Sequence, residues 1–251
     1  MTRAFPNPLR RASLPLAGAL AATLCLAAPL QADQTDRIVF DVSLRGIPAG
    51  RLSINGKIEG ANYGANGTLE TTGLLGFLRK IRYDASVSGS RTADRFTPQR
   101  FDETANRPGD ESEHVIVYQN GTPVSVSRNP PRKPRKTDVD PAKQGGTVDP
   151  LTALYAVLRD VDRDEACKLN VTMYDGARRS QVSLNAPQAG GDGVTCSGEY
   201  RRLEGFSAKD MKEKSRFPFT LIYAPTPDGK RLQVVEINTD TIYGTGRLKR
   251  R

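Results

Sequence analysis

The sequence is poor in the side chains that most enzymes and metal sites require. Its 251 residues include a single histidine, His114, three cysteines and no tryptophan. A hydrolase of the triad type needs a histidine beside its nucleophile, and zinc sites need several cysteine or histidine ligands. No zinc spacing, calcium loop or phosphate-binding glycine motif occurs either. The sequence therefore gives no positive sign of an enzyme, and it predicts no metal and no cofactor.

The single histidine lies in the segment "SEHVIVY", which alternates like a β-strand. Alternation places His114 on the face opposite Val115 and Val117, so we expect it to face solvent and to be inert. Four carboxylates around a Pro-Gly turn are the remaining acid–base candidates: Asp102, Glu103, Asp110 and Glu111. Acids at such a turn are typical surface groups. A hydrolase with an unrecognised site is therefore the third functional alternative, behind two kinds of binding protein.

Long apolar runs are absent after residue 30, where nothing approaches the ~18 residues of a membrane span. Before it, residues 12–30 are almost wholly apolar, follow three arginines without any acid, and lead to the small Ala32. A charged start, an apolar centre and a small residue at the end are typical of a secretory signal peptide. We therefore expect residues 1–32 to be cleaved and residues 33–251 to reach the periplasm, free or associated with the outer membrane.

Two other export signals fit this N-terminus less well. Cys25 could be a lipoprotein attachment site, but Leu24 precedes it where a small residue is expected. The pair Arg10-Arg11 could belong to a twin-arginine signal, but Ser13 stands where an apolar residue is usual. Proline and glycine within the apolar run argue against a permanent membrane anchor.

Acidic residues are fewer than basic ones, which gives a formal net charge of +9. Loss of the three N-terminal arginines with the signal peptide would lower the charge to +6, since 9 − 3 = 6. Such a surplus can attract anionic lipid headgroups, although solubility alone also explains it. A nucleic acid partner is not expected, because the basic residues do not cluster with aromatic ones.

Two cysteines, Cys167 and Cys196, remain after signal cleavage. An even pair in an oxidising compartment predicts a disulfide. Closing a loop of this length would stabilise the fold by about 3–4 kcal/mol in the chain-entropy model. A redox pair usually has only two residues between its cysteines, and a metal site would need further ligands, so a structural bridge is the favoured interpretation.

Alternation of apolar and polar residues is the dominant pattern of the remaining chain. In "RIVFDVSLRG", Ile38, Phe40 and Val42 share one face while Asp41 and Ser43 share the other. A period of two with β-branched residues predicts half-buried strands, and similar segments recur to residue 248. We predict a single all-β domain over residues 33–251, with minor helix. Its strands would form a single curved antiparallel sheet or an open or closed β-barrel, with one amphipathic helix and one disulfide.

Three segments depart from the strand pattern. In "DPLTALYAVLRD", Asp149 can cap a helix and Pro150 can begin it. Its apolar stripe would pack on the sheet or close one end of a barrel, and it comprises Leu151, Leu154, Tyr155 and Leu158. The segment 73–80, "GLLGFLRK", predicts one or two helical turns or a short connector, with its apolar residues at Leu74, Leu75, Phe77 and Leu78. The segment 128–147 is rich in proline and basic residues, which predicts an exposed loop.

Several ordered segments together are similar to a known family. They are "FDVSLRGIPAGRLSI", "GGTVDPLTALYAVLRD", "MYDGARRSQVSL" and "CSGEYRRLEGFS…FPFTLIYAP". Over roughly residues 37–248 the chain resembles the bacterial domain of unknown function 3108 family. The resemblance implies an exported envelope protein of antiparallel β structure. It implies no activity and no catalytic residue.

Two kinds of binding protein fit these patterns. In the first, the curved sheet holds a lipid or other apolar ligand, with Leu74, Leu75, Phe77, Leu78, Leu151, Leu154, Tyr155 and Leu158 as its lid. In the second, side chains fill the barrel and the protein binds another envelope protein. Small residues on the inward faces slightly favour a cavity: Gly56, Ala65, Gly67, Ala85 and Gly89. The turn "YDGARR" could bind an anion, but charged residues that protect a turn are the favoured interpretation.

Overall fold

The computed structural model describes residues 1–2, 33–93, 95–190 and 192–251 of the chain, and only the backbone at 74–75 and 189–190. The chain divides into two compact units, Met1–Leu30 and Gln31–Arg251, and the fold below is that of the second. The predicted signal peptide and the alternatives at Cys25 and Arg10-Arg11 lie outside the described residues. Export therefore stays a prediction.

Fourteen strands belong to one sheet, in which every neighbouring pair is antiparallel, as the alternation predicts. The first seven are β1 (Gln34–Leu44), β2 (Ile47–Glu59), β3 (Asn62–Thr71), β4 (Arg82–Arg91), β5 (Phe96–Arg107), β6 (Asp110–Gln119) and β7 (Thr122–Asn129). The others are β8 (Asn170–Tyr174), β9 (Arg179–Leu184), β10 (Gln188–Gly190), β11 (Gly193–Glu204), β12 (Arg216–Pro225), β13 (Leu232–Thr241) and β14 (Gly244–Arg250).

The sheet is open. Its strand order is β7-β6-β5-β4-β3-β2-β1-β14-β13-β12-β11-β9-β8, with β10 paired to β11 beside this path. The first and last long strands meet in the middle, where Phe40 of β1 lies opposite Arg250 of β14. In the described part of the chain, the edge strands β7 and β8 do not pair with each other. Of the forms predicted from the sequence, the open curved sheet is the one observed.

The segment between β7 and the next helix crosses the space between the two edge strands. The Gly146 amide donates to the Gly121 carbonyl (2.8 Å), which ties the segment to the turn before β7, and the Val148 amide donates to Thr172 of β8 (3.0 Å). Gln144 within it is buried. The prediction of an exposed loop over 128–147 is therefore wrong at both ends, because Arg128 and Asn129 belong to β7 while Gln144 and Thr147 are buried.

In the described ranges, three α-helices and one 3₁₀ turn interrupt the strands. They are α1 (Gly73–Leu78), the 3₁₀ turn (Pro141–Lys143), α2 (Pro150–Leu158) and α3 (Ala208–Glu213). The second helix begins at the predicted proline with Asp149 as its N-cap, and Ser207 with Asp210 forms a capping box at α3. None of the helices in the described ranges is long and apolar enough to cross a membrane.

The sheet curves around α2, which contacts strands as far apart as β3 and β8. Its predicted amphipathic character is wrong. Apart from Leu154, every residue after Pro150 is buried: Leu151, Thr152, Ala153, Tyr155, Ala156, Val157 and Leu158. The sheet covers the helix except at Pro150 and Leu154, so the helix has no broad solvent-facing side on which polar residues would be needed.

The predicted disulfide joins Cys167 to Cys196, with Cα atoms 5.5 Å apart. Cys167 lies between α2 and β8, and Cys196 lies on β11. Both cysteines are buried in the core. The bridge therefore fixes the segment that follows the helix to the C-terminal half of the sheet.

Antiparallel order places alternate turns at the same end of the sheet. The β1–β2, β3–β4, β5–β6 and β13–β14 connections share one end, here named the upper end. The β2–β3, β4–β5, β6–β7 and β12–β13 connections share the other, the lower end.

Candidate functional site

The start of α2 is held by a buried polar network. Asp149 is fully buried and accepts hydrogen bonds from the amide (2.8 Å) and hydroxyl (2.5 Å) of Thr152. The Thr152 hydroxyl in turn lies 2.7 Å from the hydroxyl of Tyr63 on β3. Burial raises the pKa of Asp149 to about 6. These bonds satisfy the free backbone donor of the helix and attach the helix to the N-terminal half of the sheet.

The end of α2 is held by a second buried network near the lower end. The Tyr155 hydroxyl donates to the carboxylate of Asp36 on β1 at 2.6 Å. Asp36 is 1 % exposed and also accepts from the Gln34 side chain (2.8 Å) and the Asp160 amide (3.1 Å). Every member therefore has a partner, which is the condition for burying polar groups at low cost. The helix is fixed at both ends.

Two inward-facing glycines make room for the helix. A Cβ atom on Gly56 would lie 2.1 Å from the Tyr155 ring, and one on Gly67 would lie 2.7 Å from Leu151. Small inward residues were expected to leave a cavity for a ligand. At Gly56 that expectation is wrong, because the Tyr155 ring occupies the space, whereas Gly67 packs against Leu151 and also lines a cleft. Next to Gly56 the interior is thus filled by the protein itself.

Two apolar clefts lie beside the helix, and Pro150 and Leu154 line both. The C-terminal cleft has a volume of about 300 Å³ and is lined also by Ala153, Val157, Leu158, Met173, Val182, Tyr200, Phe219, Leu221, Ile237 and Thr239. The N-terminal cleft has a volume of about 250 Å³ and is lined also by Leu52, Gly67, Thr68, Leu69, Tyr83, Ala85, Phe101, Glu103 and Leu151. Both linings are almost wholly apolar, so these clefts are the candidate site.

The N-terminal cleft contains one carboxylate, that of Glu103. Burial raises its pKa, while the nearby charges of Arg128 and Arg107 act in the opposite direction. Arg107 donates to the Tyr83 hydroxyl at 2.9 Å and lies over the Tyr83 ring, whose side chain lines the same cleft. One side of an otherwise apolar cleft therefore carries the Glu103 carboxylate and the Tyr83 hydroxyl, which can interact with the polar end of a ligand.

The prediction that His114 faces solvent is wrong. His114 is 5 % exposed and shares the inward face of β6 with Ile116 and Tyr118. Its Nε2 packs against Gly176 and has no hydrogen-bond partner among the described residues. Burial and the charges of two arginines lower its pKa to about 4, so the imidazole is neutral at pH 7. The sequence did not indicate this orientation, because the outer face of β6 also carries apolar residues, Val115 and Val117.

The acids around the β5–β6 turn do not form a catalytic pair. Asp102 is paired with Arg100, Asp110 with Arg107, and Glu111 accepts from Asn106. Glu103 instead points into the N-terminal cleft. Within the described ranges, no group of three or more histidine, cysteine, aspartate or glutamate side chains is placed to hold a metal ion.

The predicted lid residues lie in different surroundings. Phe77 and Leu78 of α1 are exposed, whereas the side chains of Leu74 and Leu75 lie outside the described residues. The residues from α2 lie in the interior: Leu151, Tyr155 and Leu158 are buried, and Leu154 lines both clefts. The second helix is thus a wall of the clefts, and a lid role for residues 73–80 stays a prediction.

The "YDGARR" segment forms a tight turn between β8 and β9. The Asp175 carboxylate accepts from the amides of Ala177 (3.0 Å) and Arg178 (2.7 Å). The Asp175 carbonyl accepts from Arg128 at 3.2 Å. These bonds give the acid a structural role in the turn, in agreement with the favoured interpretation of the sequence.

A polar cluster at the lower end was not predicted from the sequence. Arg91 and Arg159 are both 8 % exposed and share one carboxylate, that of Glu165, at 3.6 and 2.9 Å. Both guanidinium groups also lie over the ring of Phe96. The two arginines lie far apart in the sequence, so no local pattern could have indicated that they meet. A pocket of about 300 Å³ adjoins Arg159 and Phe96.

Comparison with known proteins gives a family but no activity. No curated protein matches the chain. A solved structure similar to it is titled a β-barrel-like protein of domain of unknown function DUF1849 from Brucella abortus; it is 16% identical, with a TM-score of 0.49, and the match covers 86% of this chain and 95% of that one. The family model described as "Protein of unknown function (DUF3108)" matches residues 39–197. That match spans more than half of the chain and confirms the resemblance found in the sequence, so the chain belongs to this family.

Proposed function

We propose that this protein is a non-enzymatic envelope protein that binds an apolar or amphipathic molecule in the two clefts beside Leu154. The observation that carries the proposal is the pair of clefts, of about 300 and 250 Å³, whose linings are almost wholly apolar. The envelope location rests on the signal-like pattern of residues 1–32. Apolar clefts with a few polar groups are the usual form of small-molecule sites.

The size and polarity of the clefts favour a ligand with an apolar chain. Ligand pockets are commonly roughly 300–1,000 Å³, and each cleft is near the lower limit of that range. Burial of an apolar chain is favourable by about 25 cal/mol per Å² of area removed from water. The polar side of the N-terminal cleft has Glu103 with Arg107 and Arg128 nearby. This side of the cleft can therefore contact the polar end of an amphipathic ligand.

Binding, and not catalysis, is the function that the polar groups around the clefts support. Glu103, His114 and Arg128 lie opposite one another on β5, β6 and β7. The imidazole has a pKa of about 4, and its Nε2 packs against Gly176. A general base needs a pKa near the working pH and a free path to the substrate. His114 meets neither condition.

A fluorescent fatty-acid probe tests the proposal. We expect the purified protein to take up the probe, and the variant Leu154→Glu to bind it at least tenfold more weakly, because the new carboxylate would face both clefts. Val124→Glu is the matched control, since Val124 is 57 % exposed on β7 and lies outside both clefts. Circular dichroism would confirm that both variants are folded. Mass spectrometry of the wild-type protein should also detect a co-purified amphiphile.

The alternative is a filled scaffold that binds another envelope protein. The close packing of Gly56 against the Tyr155 ring favours it, because the protein's own side chain fills the space beside that glycine. A wild-type protein that carries no amphiphile and takes up no probe would contradict ligand binding and would leave the scaffold as the better explanation.

A further inference from the structure

Exposed apolar side chains are concentrated at the upper end of the sheet. Apart from Met1, seven large apolar residues of the described chain are exposed, and all but Val124 lie at this end: Ile47, Leu69, Phe77, Leu78, Ile242 and Tyr243. The most exposed are Phe77 at 88 %, Leu78 at 69 % and Tyr243 at 66 %. Single exposed apolar residues are common on proteins, but several together at one end indicate an interaction surface.

These residues form one surface because their turns are neighbours. The strand order β4-β3-β2-β1-β14-β13 places the β3–β4, β1–β2 and β13–β14 connections side by side. Arg45 donates to the Tyr243 carbonyl at 2.6 Å, which joins the last two of these connections. The Thr72 amide donates to the Ala49 carbonyl at 3.3 Å, which joins the first two. The upper-end patch is defined here as Ile47, Phe77, Leu78, Ile242 and Tyr243.

The charged residues of these three connections are all positive. Residues 44–49, 72–81 and 241–245 include Arg45, Arg79 and Lys80 and no acid. All three basic residues are exposed. Aromatic and aliphatic side chains next to basic ones are typical of surfaces that lie in the headgroup region of anionic bilayers.

We propose that the upper-end patch is a membrane-docking surface, which inserts Phe77, Leu78 and Tyr243 into the headgroup region of a bilayer that contains anionic lipid. Charge complementarity selects this partner, because anionic headgroups would neutralise Arg79 and Lys80 while the apolar tips leave water. Leu69 is exposed at the same end and lines the N-terminal cleft, so a docked protein would present that cleft near the bilayer. Docking goes beyond ligand binding and does not depend on it.

The absence of tryptophan makes a direct test available, because a single introduced tryptophan reports its own surroundings. The experiment uses protein whose intact mass shows that it begins at Asp33, mixed with vesicles of phosphatidylcholine and phosphatidylglycerol. We expect the emission of the Phe77→Trp variant to shift to the blue on vesicle addition. The matched control Val124→Trp, exposed on β7 near the lower end, should show no shift.

Charge removal provides the second arm of the test. Each basic residue near an anionic surface strengthens binding by about fivefold, so Arg79→Gln with Lys80→Gln should weaken vesicle co-sedimentation by about 25-fold at low salt. Arg45 is left in place because it holds the Tyr243 turn. Phosphatidylcholine vesicles alone should bind far less protein. Probe uptake without vesicles should be unchanged in Tyr243→Asp, because Tyr243 belongs to the patch and lines neither cleft, and this separates docking from the cleft.

Three results would overturn the docking proposal. The first is the absence of any blue shift with anionic vesicles, and the second is an equal shift in the Val124→Trp control. The third is a Phe77→Trp shift that grows with protein concentration in the absence of vesicles, which would assign the patch to a contact with a second copy of the chain.

Discussion

The contact between Gly56 and Tyr155 allows a quantitative test of how the helix is seated in the sheet. Substitution by alanine would place a methyl group 2.1 Å from the Tyr155 ring, much closer than two carbon atoms can approach. The ring cannot move freely, because its hydroxyl donates to the buried Asp36 at 2.6 Å. Gly56→Ala must therefore displace either strand β2 or the helix.

Two costs combine in this variant. Overpacking of a well-filled core costs about 1–3 kcal/mol. Loss of the tyrosine partner would leave the buried carboxylate of Asp36 with an unsatisfied oxygen, which costs about 1–3 kcal/mol more. We expect Gly56→Ala to lower the free energy of unfolding by about 3 kcal/mol in total. Urea denaturation followed by circular dichroism, with the disulfide intact, would measure it.

The chain offers a matched control and a rescue. Gly64 lies on the neighbouring strand β3, and a Cβ atom there would meet only the Val87 carbonyl at 3.5 Å, an ordinary contact. Gly64→Ala should therefore be neutral or stabilise the fold by up to about 1 kcal/mol, because alanine restricts the unfolded chain. In a Tyr155→Leu background the further cost of Gly56→Ala should fall by at least half. Two results would refute the proposed packing of the helix: an equal loss of unfolding free energy in the two glycine variants, or the same effect of Gly56→Ala with tyrosine and with leucine at residue 155.

Three further predictions concern the core. Proton NMR of untagged protein should show the single imidazole, His114, titrating near pH 4 instead of near 6.5. Because the folded state holds the pKa of His114 below its unfolded value, protonation of the imidazole opposes folding. The free energy of unfolding should therefore be unaffected by His114 above pH 6.5 and should fall by about 3 kcal/mol as the pH is lowered towards 4. Replacing Cys167 and Cys196 by serine should cost about 3–4 kcal/mol in urea unfolding, and full alkylation of both thiols without reductant would contradict the bridge. Leu158→Ala should lower the free energy of unfolding by about 2–5 kcal/mol, because Leu158 is fully buried. Leu154→Ala should lower it by less than half as much, because Leu154 faces open clefts. Equal losses in the two variants would argue against the clefts.

Local patterns in the sequence were sufficient for the elements of the fold. Alternation predicted the strands, and Asp149 with Pro150 predicted where α2 begins, because both signals depend on residues close together in the chain. The same logic failed for His114, since β6 carries apolar residues on both faces and alternation alone cannot tell which face is buried.

The site could not be derived in the same way, because it depends on contacts between residues far apart in the sequence. A glycine on an inward face can leave space for a ligand or for another part of the protein. Gly56 does the second and Gly67 lines a cleft, and only the position of α2 in the interior decides between the two. The clefts beside Leu154 likewise exist because buried hydrogen bonds fix both ends of that helix.

The pairing of β1 with β14 has a consequence for the order in which the chain can fold. These two strands lie in the middle of the sheet, yet they are the first and the last strands along the sequence. During synthesis, which starts at the N-terminus, strands β1 to β7 can pair with one another. The other edge of β1 stays unpaired until Gly244–Arg250, the residues of β14, have been made. Contacts of such high sequence separation form slowly, and an unpaired edge invites association with other chains. The nascent protein is therefore most prone to association with other chains at β1, the strand that later lies in the centre of its sheet.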